Sequence, residues 1–596
     1  MADFEGDLAV VPFGSRTLRL TWPYLTGTDV KVLQRIYDTM LDLMNPATGP
    51  IGPRIPITGV FDRKTAQAVR AIQTYFGIPP SGEVGRATYR VFGQLPDAYG
   101  GPAFGSRPLK EGDTGGDVTV LQNRLNCLRY ATILGHPADG NFSATTRSAL
   151  AAFQADNVVF RGWQIDWEGS AEFDTFDILW IVSFLGGRNL HEGAHGFDAA
   201  ALQVILRNLE LYSGRVDGFF GAKTRRAVMA FQARAGLTPD GVVNPRTYHQ
   251  LGLANPVFWY SVDRAPRESL HVLNAISVVG STVDPINRDQ HPCGIAIAPY
   301  TYDDSATVLK GGELLVSNGA DAQGNLGRGT TLVRLVKGAP VRFFGQAPCP
   351  VALAISNLGP PWVADFGPAP DGSQGLVQVL TPDGALFSGG EIRRPGFQGL
   401  WGIGFNFGPL YGLPAAFFCA NALSGTLDRL TNFHPPDFNA TTTVTTIASQ
   451  LPHLGKNVDS LYGPQGMVWV PMGDTLYIAN GADHRISQWS GVSTTSSDLG
   501  PGQLVYHGRP LNRPAGLAFN PENGNLLAVN QGDNRVVEIN PRSGQVVGFR
   551  LLDRSPVNPG QRSALWGAVT AVDDRGDVVL YFTNAHLNTV NRLSRG

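Results

Sequence analysis

The stretch whose residue types and spacing most resemble a hydrolytic centre is His191-Glu192-Gly193-Ala194-His195, an H-E-x-x-H arrangement. On a helix this spacing sets two imidazoles on one face to hold zinc and leaves the glutamate as general base. The neighbourhood argues against that use. Leu190-His191-Glu192-Gly193 begins twelve residues before Leu202-Gln203, and Leu109-Lys110-Glu111-Gly112 begins twelve before Leu121-Gln122. A segment that recurs without its histidines is a loop leading into a helix, and the sequence offers no evident third ligand. The four cysteines, Cys127, Cys293, Cys349 and Cys419, lack metal-ligand spacing, and their pairing stays open. No serine stands in a nucleophile-elbow context.

Repetition explains more of the chain than any catalytic motif. Leu-Gln recurs at Leu33-Gln34, Leu121-Gln122 and Leu202-Gln203, and Thr65 to Gln73, Thr146 to Gln154 and Thr224 to Gln232 each span eight residues. An aromatic residue precedes each threonine by four: Phe61, Phe142 and Phe220. The third copy is the most complete. Asp217-Gly218 reads as a tight turn, because glycine accepts positive φ. Ala227, Val228 and Phe231 form an apolar stripe at helical period. Each unit is expected to run helix, turn, helix, loop, short helix.

These residues resemble the tandem peptidoglycan-binding domain family, with its pattern L-Q-x-x-L, D-G-x-F-G-x-x-T, A-V-x-x-F-Q, G-L-x-x-D-G-x-V, over about residues 20–254. The first copy replaces Asp-Gly with Thr58-Gly59 and Phe-Gln with Ile72-Gln73. The second keeps Asp139-Gly140 and Phe153-Gln154 but loses the G-L-x-x-D-G loop, with Trp163-Gln164-Ile165-Asp166-Trp167 in its place. The resemblance implies binding of wall glycan or stem peptide in a shallow groove. The residues it nominates are Asp217, Phe219, Thr224 and Asp240, with Trp163 and Trp167 able either to stack on sugars or to fill a divergent core. For Asp217, Thr224 and Asp240, maintenance of the small fold is the competing role.

Beyond Pro256 short apolar runs of strand length take over. Six of them end on Asn or Asp, at Asn318, Asp365, Asn421, Asn480, Asn530 and Asn584, at intervals of 47, 56, 59, 50 and 54 residues. Those intervals are blade-sized. The six polar residues are expected to cap the following turns. Gly294, Gly402, Gly466, Gly516 and Gly567 open upstream strands, whereas the second copy has Val351 there. The pattern is similar to NHL-type propeller repeats. After Val590-Asn591-Arg592-Leu593 the last copy has no room for a fourth strand. An open edge invites aggregation, so the run His271–Val279 is the expected donor.

The expected architecture is multidomain: small all-α repeats at residues 1–100, 101–187 and 188–254, then an all-β six-bladed propeller at 255–596. With a net charge of −2 and no Lys/Arg run, the chain lacks the basic footprint of a nucleic-acid or anionic-membrane partner. No stretch reaches the ~18 apolar residues of a membrane span. The start MADFEGDLAV is acidic and unlike a Sec-type signal. The leading expectation is a non-catalytic peptidoglycan-binding protein of the cell wall or exterior, whose propeller is a rigid platform for a protein partner. Two others stay open. One is a structural component of a phage tail or contractile injection assembly, made in the cytoplasm and released by assembly or lysis. The second is a wall-targeted lactonase or esterase with Ca2+ on the propeller axis; otherwise no cofactor is expected. Against that, Gln465-Gly466 and Ala515-Gly516 stand where such enzymes commonly place Asn-Gly.

Overall fold

The computed structural model describes residues 9, 11–43, 55–95, 98–161, 169–254, 269–298, 305, 307–356, 360–367, 373–406, 413–470, 473–520, 523–557, 564–572 and 578–595. The chain divides into two compact units, Met1–Ala155 with Ile165–Ala265, and Asp156–Gln164 with Pro266–Gly596.

Three copies of one helical pattern, all but residues 156–161 of them within the first unit, make up this part of the chain. Copy one has helices at Thr28–Leu43, Arg63–Tyr75 and Arg86–Val91. Copy two has them at Gly116–Leu125, Ala144–Arg161 and Phe173–Val182, and copy three at Phe197–Asn208, Ala222–Arg234 and Pro245–Ala254. Local rules set the ends. The Asp62 carboxylate accepts from the Thr65 N–H at 2.8 Å and caps Arg63–Tyr75. Turn glycines Gly59, Gly140 and Gly218 lie at φ 69°, 77° and 73°. Among the described residues no helix is long and apolar enough to cross a membrane.

The copies share an anchor beyond their apolar stripes. Arg16–Asp29, Arg107–Asp117 and Arg188–Asp198 are each joined by two parallel bonds, with Nε to Oδ2 at 2.7, 2.8 and 2.6 Å. Each arginine also donates to a carbonyl of the entering loop, Thr26, Thr114 and His195 respectively. Each aspartate is buried at the start of the first helix, where a negative charge also meets the helix dipole favourably. The pair therefore clamps the loop onto the helix in all three copies.

In the second unit the described residues form six four-stranded antiparallel sheets. Five are contiguous in sequence. The sixth joins Leu565–Val572, Val578–Asn584 and Thr589–Arg595 to Leu273–Ser281, with Leu593 opposite Ile276. The anticipated donor strand thus closes the ring, running two residues past Val279. The innermost strands, Gln290–Ile297, Pro350–Ile355, Leu400–Phe405, Pro464–Val470, Pro514–Phe519 and Leu565–Val572, touch in cyclic order. Glycine makes this approach feasible. A Cβ on Gly402 would lie 2.0 Å from Gln465 O, one on Gly466 2.1 Å from Ala515 O, and one on Gly567 2.7 Å from Cys293 O. In the second blade, which lacks this glycine, Ala352 faces Gly294.

Candidate functional site

Each helical copy is organised by two buried glutamines. Gln203 Oε1 accepts from the N–H groups of Asp217 and Gly218, while its Nε2 donates to Asp217 Oδ1, Phe219 O and Thr224 Oγ1. Gln34 and Gln122 hold Thr58-Gly59 and Asp139-Gly140 in the same way. The second glutamine repeats the device one loop later. Gln232 binds Gly241 N, Asp240 Oδ1, Val242 O and Thr247 Oγ1. An amide suits the position because it supplies acceptor and donors together.

This wiring shows where the nominated residues lie. Asp217 and Asp240 each accept from a glutamine amide and from the backbone N–H two residues on, at 2.8–3.0 Å. Those bonds, led by the one from Val242 N–H, hold the Asp240 carboxyl below the ordinary range. Thr224 is 1 % exposed. Phe219 is the outward member at 42 % exposure, with its ring 6.0 Å from His195 and 5.6 Å from Phe76. Trp163 and Trp167 lie outside the described residues.

The second copy corrects the reading that its later loop is lost. Gln154 still accepts from Gly169 N at 3.1 Å and donates to Ser170 O and Thr175 Oγ1. Gln73 and Gln232 reach their glycines, Gly82 and Gly241, nine residues on, whereas Gln154 reaches Gly169 after fifteen. The loop is longer rather than absent, and the displaced glycine hid the match.

The H-E-x-x-H segment is a turn and extended chain rather than a helix. Its His195 backbone pairs with Phe219, and its ring stacks on Phe76 and Phe219. His191 Nδ1 contacts Glu192 O, and Glu192 lies 3.9 Å from Arg225. The geometry that zinc catalysis requires is missing. All four cysteines are buried thiols, and burial pushes those of Cys127, Cys349 and Cys419 up, away from nucleophilic use.

In the propeller, the six Asn/Asp residues all lie on second strands, but they bond differently. Asn480 Oδ1 accepts from Ala482 N, and Asn584 Oδ1 from His586 and Leu587 N, as turn caps do. Asn421 and Asn530 instead accept from Gln398 N and Asn512 N, in the linkers entering their own blades. Asn318 and Asn480 donate to the linker carbonyls of Thr282 and Pro452. These residues therefore staple linker to strand as much as they cap a turn.

Asp365 differs again. It is fully buried, and neither carboxylate oxygen has a hydrogen-bond partner among the described residues. Burial raises its carboxyl well above the ordinary value, with Glu391 adding to the effect. The folded state then holds a proton that the unfolded chain releases. Stability is fully present below the ordinary carboxylate value and falls as pH rises towards the raised one. Asp365→Asn, the residue type of the other five blades, is expected to raise the melting temperature at neutral pH and flatten its pH dependence. A thermal scan from acid to neutral pH in which the variant melts lower throughout would overturn this.

The inner strands line a pocket on the propeller axis that opens to solvent and has a cavity volume of about 70 Å3. Most of its side chains are apolar, Ile295, Leu353, Ile403, Met467 and Leu517 among them, and of the described lining residues Gln465 alone carries a side-chain oxygen. Trp401 and Trp566, with ring centroids 6.0 Å apart, pack with Cys293, Phe366 and Leu461 beside it. Calcium takes several oxygen ligands, of which the described side chains of this lining supply the one amide oxygen of Gln465.

The chain also matches known proteins. The model of the "Putative peptidoglycan binding domain" matches residues 26–92, 114–158 and 196–251. A 108-residue stretch is 46% identical to an uncharacterized protein of Kitasatospora aureofaciens, covering 17% of this chain and 88% of that one. Another, of 115 residues, is 38% identical to an N-acetylmuramoyl-L-alanine amidase of Mycobacterium tuberculosis, covering 18% of this chain and 27% of the amidase. The chain thus spans about a quarter of the amidase's length. Among solved structures, virginiamycin B lyase from Staphylococcus aureus aligns at 13% identity and TM-score 0.32 over 54% of this chain and 99% of that one. A β-propeller domain from Myceliophteria thermophila aligns at 12% identity and TM-score 0.32 over 52% and 98%. The propeller assignment here rests on strand order and ring closure, not on those likenesses.

Proposed function

We propose, from the premise that the chain belongs to the peptidoglycan binding domain family through its helical repeats, that it is a non-catalytic wall-binding protein whose propeller serves as a rigid platform for a protein partner. The observation that carries this reading is that all three copies keep both glutamine hubs. Three intact copies on one chain would raise avidity for a polymeric ligand that presents the same unit repeatedly. Wall glycan with its stem peptides is such a polymer. The single side-chain oxygen, that of Gln465, among the described residues lining the propeller axis favours a scaffold over a calcium-dependent lactonase.

Sedimentation of the full chain with purified sacculi tests the proposal. Co-sedimentation that saturates and is competed by soluble wall fragments is expected. A chain that stays in the supernatant at every sacculus concentration would sink it.

A further inference from the structure

The three copies differ most informatively in the loop between the clamping arginine and its aspartate. Arg107 to Asp117 and Arg188 to Asp198 are ten residues apart, and each loop turns at a glycine of positive φ, Gly112 at 97° and Gly193 at 91°. Arg16 to Asp29 takes thirteen. In place of the tight Glu-Gly turn, copy one carries Leu20-Thr21-Trp22-Pro23-Tyr24. Both other copies form the clamp without these residues, so the clamp does not require them.

Their exposure is unusual for their type. Trp22 is 88 % exposed and Tyr24 37 %, with ring centroids 5.8 Å apart at 83°. Leu20, at 41 %, lies in the same loop, so three of the five large exposed hydrophobics among the described residues of this unit fall here. Clustered exposed apolar groups mark binding surfaces. The loop base is held: Thr26 O accepts from Arg16 Nη2 at 2.8 Å, Leu25–Thr26 pairs with Val60–Phe61, and Thr21 Oγ1 donates to Pro23 O. Rings on a pinned base lose little conformational freedom when a ligand arrives. By contrast Asp217, Thr224 and Asp240 are occupied by bonds within their own copy.

We propose that Trp22 and Tyr24 form a sugar-stacking platform for the glycan strand of the wall, a proposal that rests on the wall-binding reading. The flat apolar face of an N-acetylated hexose lies against the Trp22 ring, and Tyr24 at right angles offers its edge and hydroxyl to the sugar's polar rim. Exposed Arg19 next to the loop provides a cation for the carboxylates that branch from such a strand.

The test uses the full chain with intact sacculi and with purified peptide-free glycan strands. The double variant Trp22→Ala/Tyr24→Ala is expected to bind glycan strands at least about tenfold more weakly, the scale of a lost aromatic contact. Trp22→Phe should retain most of the affinity, and melting temperatures should not move because the rings are exposed. If the unmodified chain binds sacculi and the double variant binds them equally well, the platform is wrong and wall binding stands. Binding of sacculi but not of peptide-free strands also overturns the platform, in favour of stem-peptide recognition. No binding by the unmodified chain defeats both. Should the double variant melt lower, Trp22→Gln with an unchanged melt decides: wild-type glycan affinity overturns the platform.

Discussion

Gly402→Ala is expected to prevent the propeller from folding, or to destabilise it by more than about 4 kcal/mol, although it adds one methyl group. That methyl would lie 2.0 Å from the Gln465 carbonyl oxygen and 3.0 Å from its carbon, both backbone atoms of the next blade's inner strand. Relief by moving Gln465 is blocked in turn, because Gly466 is already pressed against Ala515 O. A close-packed ring transmits such strain instead of absorbing it. Gly396→Ala is the matched control, since its Cβ would meet nothing within 4 Å. It should shift stability by no more than about 0.5 kcal/mol. Urea unfolding of the two variants checks the contrast, and similar midpoints would refute the role given to the inner glycines.

The second large effect is expected at Gln203. Alanine there strands the N–H groups of Asp217 and Gly218, takes the amide donor from Thr224 Oγ1 and leaves Phe219 O with the Gly221 N–H. Unsatisfied buried groups cost about 1–3 kcal/mol each, so Gln203→Ala should lose at least ~3 kcal/mol and melt the third copy. Gln203→Glu gives a sharper test. It keeps the acceptor for the two N–H groups but sets a carboxylate against Asp217 Oδ1, now 2.8 Å from the amide nitrogen. Two carboxylates that close raise the pKa of the pair, so the variant should be weak at neutral pH and recover on mild acidification, when one proton is shared. A Gln203→Glu melt that stays low at every pH would show that shape, not donor count, governs the site.

These two positions show how much of the molecule is legible in its sequence. The Leu-Gln and Thr-to-Gln registers place the helical copies, and the Asn/Asp spacing places the second strands, because both recur at fixed distances. Gln203 is conspicuous for the same reason, but its role as an acceptor for two turn N–H groups appears only once the turn folds back over the helix. The clamps at Arg16–Asp29, Arg107–Asp117 and Arg188–Asp198 do not stand out in the sequence, although Arg-x-Leu opens each. The thirteen-residue spacing of the first copy breaks the ten-residue register of the others. An insertion likewise concealed Gly169. Nothing in the local pattern marks Asp365 as uncompensated, since an acidic residue at a strand end reads like its asparagine counterparts. Trp22 carries no signal of its own, since a Trp-Pro-Tyr run looks the same whether it fills a core or projects from one.

Ring closure bears on how the chain is made. Leu273–Ser281 leaves the ribosome long before its partner strand Thr589–Arg595 exists. Until then it is an apolar strand with an unsatisfied edge, and the cyclic packing of the inner strands lacks its final link. The helical copies draw on nearer neighbours and can settle during translation, as contacts of short sequence separation do. The propeller can complete itself only once residues 589–595 have been made. A stalled or prematurely terminated message would therefore yield a folded helical unit attached to an open, adhesive sheet, a product for chaperones or proteases to intercept.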